Sequence, residues 1–149
     1  MFFGCRRAPR PGEHVDVIDG GEHDETDYDA PKEIESHELV SFETKFFRNS
    51  DWVYDKERYY DFKLKKSGDG TFVVTEGYND DLRSETDADF AAKLDQLIRD
   101  QDLIRLNGMS RQTYGIPPEY GPYLLRAEYA SGEKLYFYVN DDPNATWTF

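Results

Sequence analysis

One thiol, Cys5, and three scattered histidines, His14, His23 and His37, are the residues of these 149 best suited to act as nucleophile, base or metal ligand. A single cysteine cannot close an internal disulfide, and one Cys with three isolated His lacks the paired spacing of a structural zinc site. Cys5 also lies in a segment too polar to hold the geometry that nucleophilic catalysis demands. Hard cations need several oxygen ligands, and three groups offer oxygens: Asp24, Glu25, Asp27 and Asp29; Asn79, Asp80 and Asp81; Asp141 and Asp142. None has EF-hand spacing, and solvated turns account for all three. Asp80, Asp81, Asp141 and Asp142 would also serve a carboxylate hydrolase if strand ends brought them together. Ser67-Gly68-Asp69-Gly70 is the only Gly-rich turn, and its place between two alternating runs marks a hairpin loop rather than a phosphate cradle. Nucleophile-elbow, zincin, Walker and dinucleotide fingerprints are missing. The reading is a protein that is not an enzyme and uses no cofactor.

The elements that would position these residues follow from composition. Eighteen Lys and Arg against 31 Asp and Glu give a net charge of −13, which disfavours nucleic acid as partner, since affinity for phosphate backbones rests on basic side chains. With 38% hydrophobic and 15% aromatic residues the chain can bury one core. No apolar run approaches the roughly 18 to 20 residues of a spanning helix. Residues 1–36 hold four basic and ten acidic residues, and from Pro9 to Glu35 the stretch reads Pro, Gly, Asp, Glu and His with isolated Val15, Val17 and Ile18. Such a stretch cannot offset its ordering entropy, so residues 1–36 are expected to be a disordered acidic tether and residues 37–149 a single domain. The apolar ending Thr146-Trp147-Thr148-Phe149 suggests a further element beyond it.

From His37 the period becomes two: Val40, Phe42, Thr44 and Phe46 alternate with Ser41, Glu43 and Lys45. Tyr60, Phe62 and Leu64 form a second run, turned by Ser67 to Gly70 into a third containing Phe72 and Val74. A helix follows, with Thr86 as cap, Asp89 three residues on, and Phe90, Leu94, Leu97 and Ile98 as its apolar face. Asp87, Lys93, Asp95, Gln96 and Arg99 should then face water. Leu103, Ile104 and Leu106 extend the apolar content to Asn107-Gly108, and Met109 to Gly121 is too interrupted for a regular element. A last hairpin runs through Tyr123 to Tyr129, turns at Ser131-Gly132 and returns through Leu135 to Val139. The expected fold is α+β: an antiparallel sheet of about five strands with one amphipathic helix, in the order β-β-β-α-β-β.

One helix covers one face of a sheet, so the other face meets water or a partner. Tyr59, Val73, Leu124, Tyr136 and Tyr138 fall on that other face, beside Lys63 and Arg126. Tyr59, Lys63, Leu124, Arg126, Tyr136 and Tyr138 are therefore the candidate binding face for a peptide, glycan or protein. Cross-strand tyrosines equally serve to stabilise a sheet, and both readings stay open.

Phe2-Phe3-Gly4-Cys5, followed by a polar stretch, resembles the end of a bacterial lipoprotein signal. In that family a small residue precedes a cysteine that is lipidated, and a linker holds the domain off the membrane. The resemblance implies Cys5 as the lipidation site, a membrane partner through the lipid anchor, and an outward-facing place in the cell envelope. Neither a charged n-region nor an apolar h-region is present, so the resemblance implies a reading frame beginning upstream of Met1. Leu106-Asn107-Gly108 and the turn Tyr129-Ala130-Ser131-Gly132-Glu133 are also similar to small uncharacterised bacterial lipoproteins, which implies no activity. The first functional expectation is a surface-exposed lipoprotein domain with a binding or structural role. The alternative is a soluble, cytoplasmic acidic protein that binds or inhibits a basic partner.

Overall fold

The computed structural model describes residues 22–47, 59–77, 80, 82–113 and 123–140. Its strands are β1 (Glu22–Asp24), β2 (Leu39–Phe47), β3 (Tyr59–Lys66), β4 (Phe72–Glu76), β5 (Leu82–Thr86), β6 (Ser110–Thr113), β7 (Tyr123–Tyr129) and β8 (Lys134–Asn140). One α-helix, α1 (Ala88–Asp100), and a 3-10 turn, Leu103–Leu106, separate β5 from β6. All strands join one eight-stranded sheet in the order β1-β6-β8-β7-β2-β3-β4-β5. Every pairing is antiparallel except β6 with β8, which is parallel.

This corrects the expected α+β fold of five antiparallel strands in the order β-β-β-α-β-β. The hairpins β3-β4 and β7-β8 stand where alternation placed them, but β1, β5 and β6 are additional strands, and the fold is mostly β. Each of the three is polar. β5 reads Leu-Arg-Ser-Glu-Thr with four exposed residues, and β6 reads Ser-Arg-Gln-Thr, so no hydrophobic alternation announces them. β6 falls inside the stretch Met109 to Gly121 that was expected to be irregular. Its partners are supplied from elsewhere in the chain, by β1 on one side and β8 on the other.

The core lies on one face of the sheet. Phe42, Phe62, Leu64, Phe72, Val74, Leu125, Ala127, Tyr129 and Leu135 meet Ala91 and Ile98 of α1, Ile104 and Ile34. Phe42 and Phe62 pack edge to face with centroids 6.0 Å apart. The helix is capped by Asp87, whose carboxylate accepts from the Phe90 amide at 3.1 Å. Thr86, the expected cap, closes β5 instead, and its place as the last strand residue leaves the capping position to its neighbour. The buried line of α1 is Ala91, Asp95 and Ile98. Phe90 and Leu97, expected in the core, are 39% and 52% exposed. Rotating the buried line onto the small Ala91 lets the helix sit close to the sheet, and it carries Asp95 inward.

The expected boundary at Ser36 does not separate two kinds of chain within residues 22–36. Ile34 is 5% exposed and belongs to the core. Arg99 donates to the carbonyls of Ile34 (2.9 Å) and Ser36 (2.6 Å), and Glu133 accepts from the amides of Glu35 (2.8 Å) and Ser36 (3.0 Å). Further back, Asn107 donates to the Pro31 carbonyl at 2.9 Å and Lys32 donates to the Asn107 carbonyl. Side chains more than sixty positions away thus order a segment whose own composition would not. Residues 1–21, with Cys5, lie outside the described residues.

Candidate functional site

Pairing register fixes which side chains share the sheet face opposite the core. Three rows cross it. The first is Lys134, Glu128, Ser41, Lys65, Val73 and Glu85; the second is Tyr136, Arg126, Glu43, Lys63, Thr75 and Arg83; the third is Tyr138, Leu124, Lys45 and Asp61. Of the candidate binding residues, Lys63, Leu124, Arg126, Tyr136 and Tyr138 share this face. Tyr59 pairs with Phe47 at the end of β3, and its side chain lies outside the described part.

Opposite charges stand side by side along the rows. Arg126 Nη1 is 3.7 Å from Glu43, Lys45 Nζ is 3.6 Å from Glu43 and 3.2 Å from Asp61, and Lys134 Nζ is 3.1 Å from Glu128. The Arg126 guanidinium lies 5.3 Å from the centre of the Tyr136 ring, a cation–π contact. Lys63 donates to Asp80 at 2.8 Å. That bond raises the Lys63 pKa and lowers that of Asp80, keeping both charged. Leu124 is buried here among polar neighbours, and Asp61 is only 5% exposed, its Oδ1 lacking a hydrogen-bond partner among the described residues. Sequence reasoning missed Glu43, Lys45 and Asp61, although the alternation that placed Lys63 places them too.

Charge distinguishes this face from the rest of the chain. Six cations, Lys45, Lys63, Lys65, Arg83, Arg126 and Lys134, stand against five anions, Glu43, Asp61, Glu85 and Glu128 of the rows and Asp80 bonded to Lys63. The face thus carries a surplus of one positive charge in a chain of net −13.

On the core side, Asp95 gathers three donors. It accepts from Arg99 Nε (3.0 and 3.2 Å) and Tyr129 Oη (3.0 Å), and its Oδ2 is 2.9 Å from His37 Nδ1. Burial opposes the Asp95 charge, yet bonds from Arg99, His37 and Tyr129 outweigh it and hold the carboxyl below its ordinary pKa. Burial and the bond to Asp95 push the Tyr129 phenol well above its usual range. The expectation that Asp95 faces water is therefore corrected: its partners come from β7 and the segment before β2. A shallow depression of about 390 Å³ beside this cluster is lined by Lys32, Glu33, Ile34, Glu35, Arg99, Asp102 and Ile104. Its cations are Arg99, whose Nε, Nη1 and Nη2 already serve Asp95, Ile34 and Ser36, and Lys32, which donates to the Asn107 carbonyl. The cluster ties helix to segment.

The acidic groups weighed as cation ligands are used locally. Asp24 accepts from the Thr26 amide (3.0 Å) and the Tyr28 hydroxyl (2.6 Å), and the Thr26 side chain, the Tyr28 hydroxyl, the Thr26 amide and Arg111 at 3.4 Å lower its pKa to about 2. Asp27 accepts from the Asp29 amide. Among the described residues no three His, Cys, Asp or Glu stand together as metal ligands. Asp81, Asp141 and Asp142 lie outside the described residues. No helix among the described residues is long and apolar enough to cross a membrane. Comparison with protein-family models, with curated proteins and with solved structures returns no match.

Proposed function

We propose that this chain is a non-catalytic binding domain, held at the cell envelope through a lipid on Cys5, that uses the sheet face opposite α1 to hold an acidic glycan. The observation that carries the reading is the slight positive surplus of that face within an acidic chain, beside the rings of Tyr136 and Tyr138. Tyrosine rings give a sugar flat apolar surface with a polar tip, while Arg126 and Lys63 supply donors to its carboxylates. The chain's overall negative charge repels acidic polymers at long range, and screening over about 8 Å at physiological salt confines that repulsion. A basic partner would meet this face against its charge and would need the helix side instead.

Titration with a uronate oligosaccharide, followed by amide shifts, is expected to perturb β7 and β8 around Arg126, Tyr136 and Tyr138. Arg126→Ala should weaken binding roughly fivefold, the equivalent of about 1 kcal/mol. Shifts confined to α1, or none at all, would refute the ligand class. The anchor is tested separately: the product of the full reading frame should enter the detergent phase, and Cys5→Ser should return it to the aqueous phase.

A further inference from the structure

Among the described residues β5 ends the sheet, pairing only with β4. Leu82, Arg83, Ser84 and Glu85 are all exposed, Leu82 at 65%. The direction of its open backbone groups follows from the neighbouring hairpin. Ser67 N donates to the Thr71 carbonyl and Gly77 N to the Asp61 carbonyl, so Lys65/Val73 and Lys63/Thr75 between them are also hydrogen-bonded pairs. Val74 then turns its amide and carbonyl toward β5, and its partner Ser84 turns its own toward β4. Arg83 and Glu85 are left aiming both N–H and C=O groups outward, off the sheet.

β5 has no proline, no bulge and no inward-pointing charge, so its shortness and the charges of Arg83 and Glu85 are what guard this edge. Its sequence is also complementary to itself. An antiparallel partner centred on Ser84 sets Arg83 opposite Glu85 and Glu85 opposite Arg83, both on the face opposite the core, with Leu82 opposite Thr86. That register joins each Arg83 to the facing Glu85 by two main-chain hydrogen bonds, and neither side chain has an ion-pair partner among the described residues. An unrelated peptide has no reason to match this alternation. The helix does not obstruct the approach, because α1 leads away from the edge, with Phe90 against Phe62 of β3 and Asp95 against Tyr129 of β7.

We infer that β5 pairs antiparallel with β5 of a second copy of this chain, centred on Ser84, so that one sheet continues through both molecules. Two five-residue strands bury less than the roughly 1,200 Å² of a standard interface, and the dimer exchanges rapidly. Sedimentation velocity of the full chain at about 0.15 M salt, where screening limits the repulsion between two acidic molecules, should show a concentration-dependent dimer. Arg83→Glu places glutamates opposite one another, and Glu85→Arg does the same with arginines. Each variant alone should stay monomeric at loadings where the parent dimerises, and an equimolar mixture of the two should restore a mixed dimer. Glu85→Pro, which removes an outward N–H without touching the β4 ladder, should abolish the dimer with unchanged circular dichroism. A monomeric parent, a dimer indifferent to Arg83→Glu, or a mixture that stays monomeric would each overturn the inference. So would a parent monomer whose β5 amides gain protection only from an added peptide, which assigns the edge to another partner.

Discussion

Asp95→Ala should lower the stability of the chain by about 3 to 5 kcal/mol, the cost of removing one partner from a buried ionic cluster. The alanine leaves Arg99 with a largely buried charge and the Tyr129 hydroxyl with no acceptor, at a position where the tyrosine is 2% exposed. Arg99 also holds the carbonyls of Ile34 and Ser36, so its displacement loosens the segment before β2 as well. Tyr129→Phe, which deletes one donor and keeps the ring, should cost only about 1 kcal/mol. Urea titrations followed by far-ultraviolet circular dichroism separate the two, and a loss below about 1 kcal/mol for Asp95→Ala would contradict this account. The pH dependence has a definite sign. Because folding lowers the Asp95 pKa, its contribution is complete above the unfolded value near 3.9 and fades as pH falls through the lower folded value. The gap in stability between the parent and Asp95→Asn should therefore be constant from pH 7 to about 5 and shrink below about 4.

Gly108→Ala is the second large effect. Gly108 has φ +85°, and a Cβ there would stand 2.3 Å from the Asp27 carbonyl oxygen and 2.5 Å from the Ala30 Cβ. The Asp27 carbonyl cannot simply retreat, because the Asp27 amide donates to the Gly108 carbonyl at 2.9 Å while Gly108 donates to Tyr136 at 2.8 Å. Left-handed strain of about 1 to 2 kcal/mol adds to overpacking of about 1 to 3 kcal/mol. The expected result is detachment of residues 22–31 from β6, read as faster hydrogen exchange at the Glu25 and Asp27 amides, whose acceptors are Ser110 and Gly108. Retained protection at both amides would show that the close approach carries no energetic weight.

The sequence made the hairpins legible because their residues alternate between a wet and a dry side, and that period survives in a single chain without further information. The same alternation placed Lys63, Leu124, Arg126, Tyr136 and Tyr138 on one face. What escaped was set by distant partners. Asp95 looked like any charged residue on a solvated helix face, and its burial depends on Tyr129 and His37, 34 and 58 positions away. Nothing in an acidic stretch marks Ile34 as a core residue, yet Arg99 and Asn107 hold the carbonyls around it. The edge strands β1 and β5 carry no apolar signal because little of either is buried.

The position of β2 has a consequence for the making of the molecule. It lies between β3, which follows closely, and β7, whose Leu124 carbonyl bonds to Thr44 from 80 positions away. During synthesis one flank of β2 can be satisfied almost at once, whereas the other must wait until β7, some 80 positions further on, has left the ribosome. Closing so long a loop is slow, and until it closes the unpaired side of β2 is the surface that a nascent-chain chaperone would have to shield.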